Sequence, residues 1–182
     1  MLDGLDFRHT RGIADAEEEA RYRAIGTVSF GLRITETIDI DRPPAEVWAV
    51  VSDLSTHTAW RPALEEFRQL SEGPLVVGSR IREVLRWRGR RIEIEDVVTA
   101  LDPPRRFSIR GGWSAADFEL DLTLEPVEDG TRVRFEWPLY PKSHLLRIAA
   151  PLLGGTMRRA TQEEARLLKT YVEGHGEAGT PY

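Results

Sequence analysis

ITETIDIDRPPAEVWAVVSDLSTHTAWRP, residues 34–62, reads as a strand, a break and two short helices in succession. Ile34, Ile38 and Ile40 alternate with Thr35, Thr37 and Asp39, so one face of the strand is largely apolar. Pro43 and Pro44 stop it and suit a helix's first turn, where a missing N–H costs nothing. Val47, Trp48, Val51 and Leu54 then recur at helical spacing and need an apolar partner.

Downstream the periodicity changes to two. Ile81, Glu83, Leu85 and Trp87 share a face, with Arg80, Arg82, Arg86 and Arg88 on the other, and Ile92, Ile94, Asp96 and Val98 share a face of the next strand. A turn centred on Gly89-Arg90 would pair Trp87 with Ile92, Leu85 with Ile94 and Ile81 with Val98, and would set Arg86 opposite Glu93. A second hairpin turns at Asp129-Gly130, pairing Leu124 with Phe135, Leu122 with Trp137 and Leu120 with Leu139. Between them, Phe107 and Ile109 face inward on a strand entered through Asp102-Pro103-Pro104, and a short strand spans Leu64–Leu70. Connections this short imply an antiparallel meander.

From about Ser143 to Val172 a long helix carries a stripe of Leu146, Ala150, Leu153, Met157, Ala160, Leu168 and Tyr171, with Pro151 and Gly154-Gly155 expected to bend its first half. The fold class is therefore α+β: a curved antiparallel sheet of about seven strands around a C-terminal helix, with two short helices after the first strand. The space between sheet and helix is the natural ligand site, and the weakened half of the helix its gate. Residues 1–31 read as an N-terminal extension, 32–174 as the ligand-binding domain and 175–182 as a disordered tail.

Composition narrows the function. A net charge of −5 weighs against nucleic acid, and the absence of cysteine excludes disulfides, thiolate metal sites and thiol nucleophiles. The N-terminal residues have no apolar core of the signal-peptide kind, and the apolar run Leu145–Met157 is too short to span a bilayer, so a cytoplasmic protein is expected. No phosphate-binding loop, G-x-S-x-G elbow or metal-ligand spacing is present, so no metal and no cofactor are expected. Oligomeric state is not legible.

The chain resembles the START-related, polyketide-cyclase and plant-allergen superfamily (SRPBCC), which has the helix-grip fold. The resemblance rests on Ile38-Asp39-Ile40, on Pro44-Ala45-Glu46-Val47-Trp48, on Asp53 followed by Trp60 and Pro62, on Gly78 and on the terminal helix. It covers residues 32–174, is closest to the polyketide cyclase/dehydrase and lipid-transport branch, and implies lipid carriers, receptors, cyclases or dehydratases.

Glu83 and Asp96 stand opposite each other in the expected register, on an otherwise apolar inner face. Burying an unpaired carboxylate costs several kcal/mol, so the pair marks either a wet cavity holding an acid couple or a solvated or arginine-neutralised end of the sheet. An acid couple would suit cyclisation or dehydration. Glu83, Asp96 and His57 are thus the candidate catalytic groups, with His57 expected to be a solvated helix residue. Glu36, a third inward acid, is expected at the strand's exposed end.

The ligand wall is expected to comprise Leu85, Trp87, Ile94, Phe107, Ile109, Phe118, Leu122, Phe135, Trp137, Leu153 and Met157. Trp48 should anchor the first helix, and Trp113 should lie in a turn near the cavity edge. The arginines at 80, 82, 86, 88, 90 and 91 are expected to form a salt-paired outer face. Two functions follow: binding of a small hydrophobic or aromatic ligand, lipid- or polyketide-like, or cyclase/dehydratase chemistry in the same cavity.

Overall fold

A computed structural model describes residues 32–87 and 89–176, with side chains to Ser143 and again from Gly154 to Gly174. β1 (Leu32–Ile40) is followed by α1 (Pro44–Val51), a 3-10 turn (Leu54–Thr56) and α2 (His57–Trp60). Six strands come next: β2 (Leu64–Gln69), β3 (Arg80–Trp87), β4 (Arg90–Asp102), β5 (Arg106–Gly112), β6 (Ala116–Val127) and β7 (Gly130–Pro141). The chain closes with α3 (His144–Gly176).

All seven strands form one antiparallel sheet in the order β1-β7-β6-β5-β4-β3-β2. β1 and β2, neighbours in sequence, are therefore opposite edges, and the short helices carry the chain between them. Pro44 opens α1, and Asp53 caps the 3-10 turn by accepting from Ser55 N at 3.0 Å and Ser55 Oγ at 2.7 Å. α3 packs chiefly on β1 and meets α2. Its C-terminal end is fastened there: Lys169 Nζ donates to Asp39 O at 2.8 Å, and Glu173 Oε1 accepts from Asp41 N at 2.9 Å.

Both hairpins keep the expected faces but close one residue earlier. Trp87 pairs with Arg90, Leu85 meets Ile92, Glu83 meets Ile94 and Ile81 meets Asp96. Arg86 consequently faces Arg91 rather than Glu93. In the second hairpin Val127 pairs with Gly130, placing Leu124 against Val133, Leu122 against Phe135 and Phe118 against Leu139. Gly130 is required for another reason: a Cβ there would lie 2.1 Å from Ile40 O.

The inner face divides into two apolar regions. The larger contains Ile40, Ile81, Val98, Phe107, Ile109, Leu122 and Phe135, closed by Val47, Val51 and Trp60 of the short helices and by Ala165, Leu168 and Val172 of α3. The smaller contains Ile92, Ile94, Ala116, Phe118 and Leu139, edged by partly buried Leu32, Leu85, Trp87, Trp113, Trp137 and Met157. The helix stripe differs from expectation: Ala160 is exposed, and Thr161, Ala165 and Val172 are buried.

The helix runs unbroken past Pro151, which has no N–H to donate, and through Gly154-Gly155. A Cβ at Gly154 would come 3.1 Å from Leu32 Cδ1, so the residue lets the helix sit close to β1. The side chains of Leu146, Ala150 and Leu153 lie outside the described residues, as do the extension 1–31 and the end of the chain after Gly176.

On the outer face the arginines are paired: Arg82 with Glu93 at 2.8 Å and Glu66 at 3.4 Å, Arg86 with Glu65 at 2.6 Å, Arg91 with Glu65 at 3.5 Å, and Arg80 with Glu95. Such exposed pairs are worth little individually, but they set a carboxylate against each of these four arginines, and residue 88 lies outside the described residues.

Candidate functional site

Between the two apolar regions the inner side of the sheet turns polar. Along β3 the inward order is Ile81, Glu83, Leu85 and Trp87; along β4 it is Val98, Asp96, Ile94 and Ile92; along β7 it is Val133, Phe135, Trp137 and Leu139. β5 supplies Gly111 at this level, where a Cβ would stand 1.8 Å from Asp96 Oδ1. That glycine is what leaves room for the carboxyl.

Arg61, the residue after α2, reaches into the same layer. It is 3% exposed and pairs through Nη2 with Glu83 Oε1, while its Nε lies 3.9 Å from Glu164 Oε1 of α3. Its guanidinium carbon is 5.3 Å from the centre of the Phe67 ring and 6.0 Å from that of Trp137. Burial works against the arginine's charge, but Glu83 and Glu164 outweigh it and raise its pKa.

Glu83 and Asp96 are 1% and 0% exposed, so neither is solvated. Burial pushes the Asp96 carboxyl well above the usual carboxylate range; Glu83's charge and its hydrogen bond with Asp96 add to this, and Arg61 opposes it. Glu83 Oε2 and both Asp96 oxygens face no conventional donor, and two ionised carboxylates there would repel. A proton on Asp96 resolves both problems. Asp96 is thus the carboxyl that keeps its proton, and Glu83 the one that neutralises Arg61. Glu164 is also raised, by burial first and by Glu83, with Arg61 pulling the other way. An inward arginine does neutralise Glu83, one of the possibilities the sequence left open. The two acids stand diagonally to each other, because Glu83 pairs with Ile94.

Glu36 is partly buried rather than at an exposed end, and accepts from Gln162 Nε2 of α3 at 3.0 Å. His57 is not a solvated helix residue. It is fully buried, stacked on Phe67 with ring centres 4.5 Å apart, with Trp60 at 4.6 Å and Phe107 at 6.2 Å. Its Nε2 lies 2.9 Å from Val51 O, which can only accept, so this nitrogen carries the proton. Burial and the nearby Arg61 charge lower its pKa to about 3, keeping the ring neutral.

The expected ligand wall divides between the two apolar regions. Phe107, Ile109, Leu122 and Phe135 belong to the closed core, packed against the short helices and α3. Leu85, Trp87, Ile94, Phe118 and Met157 belong to the smaller region, and Trp137 touches both. Phe118 links the aromatic groups, with its ring centre 5.6 Å from Trp137 and 6.2 Å from Trp113. Among the described residues no group of three or more His, Cys, Asp or Glu could hold a metal.

Sequence reasoning missed Arg61 and Glu164. Arg61 carried a usable signal, being the only Lys or Arg between Pro43 and Phe67. Glu164 stands beside Glu163 on a charged helix and carried none.

A curved antiparallel sheet that holds a long C-terminal helix, with two short helices bridging its edges, defines the helix-grip class. The chain belongs to the polyketide cyclase/dehydrase and lipid-transport family, whose match spans residues 31–173. No curated protein sequence matches it. Solved structures share the fold. An aromatase/cyclase, Zhui, from Streptomyces sp. R1128 superposes with TM-score 0.66 at 15% identity, covering 78% of this chain and 93% of its own. A START superfamily protein from Mycobacterium smegmatis gives 0.66 at 14%, covering 78% and 97%. A conserved protein from Geobacillus kaustophilus gives 0.64 at 15%, covering 78% and 95%. Among the described residues no helix is long and apolar enough to cross a membrane.

Proposed function

We propose that the protein binds a small hydrophobic or aromatic molecule, lipid- or polyketide-like, on the inner face of the sheet beneath the first half of α3. Leu85, Trp87, Trp113, Trp137 and Met157 form the apolar contact, and Arg61, Glu83 and Asp96 lie at its polar end. The observation that supports this most is a contrast in coverage. Below the polar layer Ile81, Val98, Phe107, Ile109, Leu122 and Phe135 are buried, whereas above it three tryptophans, two leucines and a methionine are only partly covered. Aromatic surface left in that state on a concave face is what an apolar ligand would bury, at about 25 cal/mol per Å² before the costs of binding are subtracted. We read 1–31 as an extension outside the domain, 175–182 as a tail, and the site of action as the cytoplasm, in keeping with a cysteine-free chain.

The second reading is a cyclase or dehydratase. It draws on a proton-bearing Asp96 set against the Glu83 carboxylate, an arrangement suited to general acid–base work. The near-zero exposure of both acids favours binding over chemistry, since a substrate would reach them only after a covering group moved. The enclosed His57 has no part in either reading.

The test is native mass spectrometry of the protein purified from its own cells, compared with its denatured mass. An added small-molecule mass that disappears on denaturation is expected. A bare protein that also takes up no naphthalene-type probe would overturn the binding reading. With the ligand known, Asp96→Asn and Glu83→Gln separate the two functions, because a catalyst would lose turnover of that molecule while still binding it.

A further inference from the structure

The polar layer holds more charge and more hydrogen-bonding capacity than it consumes, and this bears on which ligands it admits; the argument rests on the binding reading above. Among the described residues, three buried donor atoms of this layer have no acceptor: Arg61 Nε, Arg61 Nη1 and Trp137 Nε1. They belong to one locus, since the Arg61 guanidinium carbon lies 6.0 Å from the Trp137 ring centre. Trp60 Nε1 is also unpartnered, but that ring is enclosed in the core, whereas Trp137 is only partly buried and borders the half-covered aromatic shell. A ligand that presses into the layer from that shell, displacing its cover, would offer these donors an oxygen.

The charges set a second condition. Arg61 already faces the Glu83 carboxylate and has Glu164 on its other side, so its positive charge is spent within the layer. An incoming carboxylate or phosphate would add a further anion beside Glu83 and Glu164 with no uncommitted cation among the described groups of the layer. An ammonium would meet the fixed Arg61 charge. Like charges brought together in a poorly solvated site are a strong means of rejecting the wrong partner.

We infer that the site selects ligands whose polar end is an uncharged oxygen acceptor and rejects apolar molecules that end in a carboxylate or phosphate, with Trp137 supplying the selecting donor and the Glu83–Glu164 pair flanking Arg61 supplying the rejection. Fatty-acid-type ligands are thereby excluded although their chains suit the shell.

The test uses calorimetric titration at pH 7.5 with three molecules of one shape: 2-acetylnaphthalene, 2-naphthoate and 2-ethylnaphthalene. The ketone should bind at least tenfold more tightly than the carboxylate. Trp137→Phe keeps an aromatic ring but removes the donor, and should weaken the ketone about fivefold relative to 2-ethylnaphthalene, as expected for one hydrogen bond. Glu164→Gln should narrow the gap between ketone and carboxylate severalfold. The inference falls if wild-type protein binds 2-naphthoate as tightly as the ketone, or if Trp137→Phe leaves the ketone-to-ethylnaphthalene ratio unchanged. Failure of 2-ethylnaphthalene itself to bind would instead overturn the binding reading, and the selectivity with it.

Discussion

Replacing Arg61 by Met tests the polar layer directly. Arg61 is 3% exposed, and its removal would leave the 1%-exposed Glu83 without its cation, with Asp96 and Glu164 still close by. Breaking a buried pair by deleting one partner costs about 3–5 kcal/mol. Urea unfolding at pH 7 followed by far-ultraviolet circular dichroism reads the loss. With an m-value of about 2 kcal/mol per M, the midpoint should fall by roughly 1.5–2.5 M. Adding Glu83→Gln to Arg61→Met should recover most of the loss, because it removes the carboxylate left without its cation. The reasoning is refuted if Arg61→Met costs under about 1 kcal/mol, or if the second substitution recovers nothing.

Two further outcomes are expected. His57 has a folded-state pKa lowered to about 3 against an ordinary value of 6.5, so its contribution is complete above pH 6.5 and is lost as the pH falls towards 3. That amounts to about 2 kcal/mol by pH 5 and about 3 by pH 4; His57→Gln should have the flatter stability profile over that interval, and an equally steep one would show that His57 is not the group responsible. Gly111→Ala places a methyl 1.8 Å from Asp96 Oδ1 and should destabilise by about 1–3 kcal/mol, with part of the loss regained when Asp96→Ser is added. Strict additivity of the two substitutions in a double-mutant cycle would contradict the contact.

The fold was legible because its signals are local and redundant. Alternation along β3, β4, β6 and β7 fixes which residues face inward, and a Pro-Pro break followed by helical spacing places α1. Register was less legible, since alternation is satisfied equally well by partners two positions apart. Both hairpins show this. Asp129-Gly130 looks like a turn centre on local grounds, yet the turn is Glu128-Asp129, and Gly130 answers to β1, whose Ile40 oxygen would lie 2.1 Å from a Cβ there. That constraint comes from a strand some ninety residues away and leaves no local trace. His57 was misjudged for a related reason: a helix as short as His57–Trp60 shows no face of its own, and the ring is buried by Phe67 and Phe107 from two strands. The acids of the site were legible as exceptions to an apolar pattern. Their cation was not, because Arg61 lies where the periodicity has ended.

The retention of this layer is itself informative. A buried ion pair with a protonated acid beside it is weak evidence for stability, since well-packed apolar residues in its place are often neutral or stabilising by about 1–4 kcal/mol. Nothing in the packing demands it: β3 and β4 are apolar above and below Glu83 and Asp96, and β5 gives up a side chain at Gly111 to accommodate the carboxyl. On β3 and β4 the sheet therefore bears a cost at this one level. That level falls where the closed core ends and the half-covered tryptophans begin, with Arg61 tying the sheet through Glu83 to the terminal helix through Glu164. On the binding reading proposed above, a ligand seated in the shell would account for a cost placed at the boundary between core and shell.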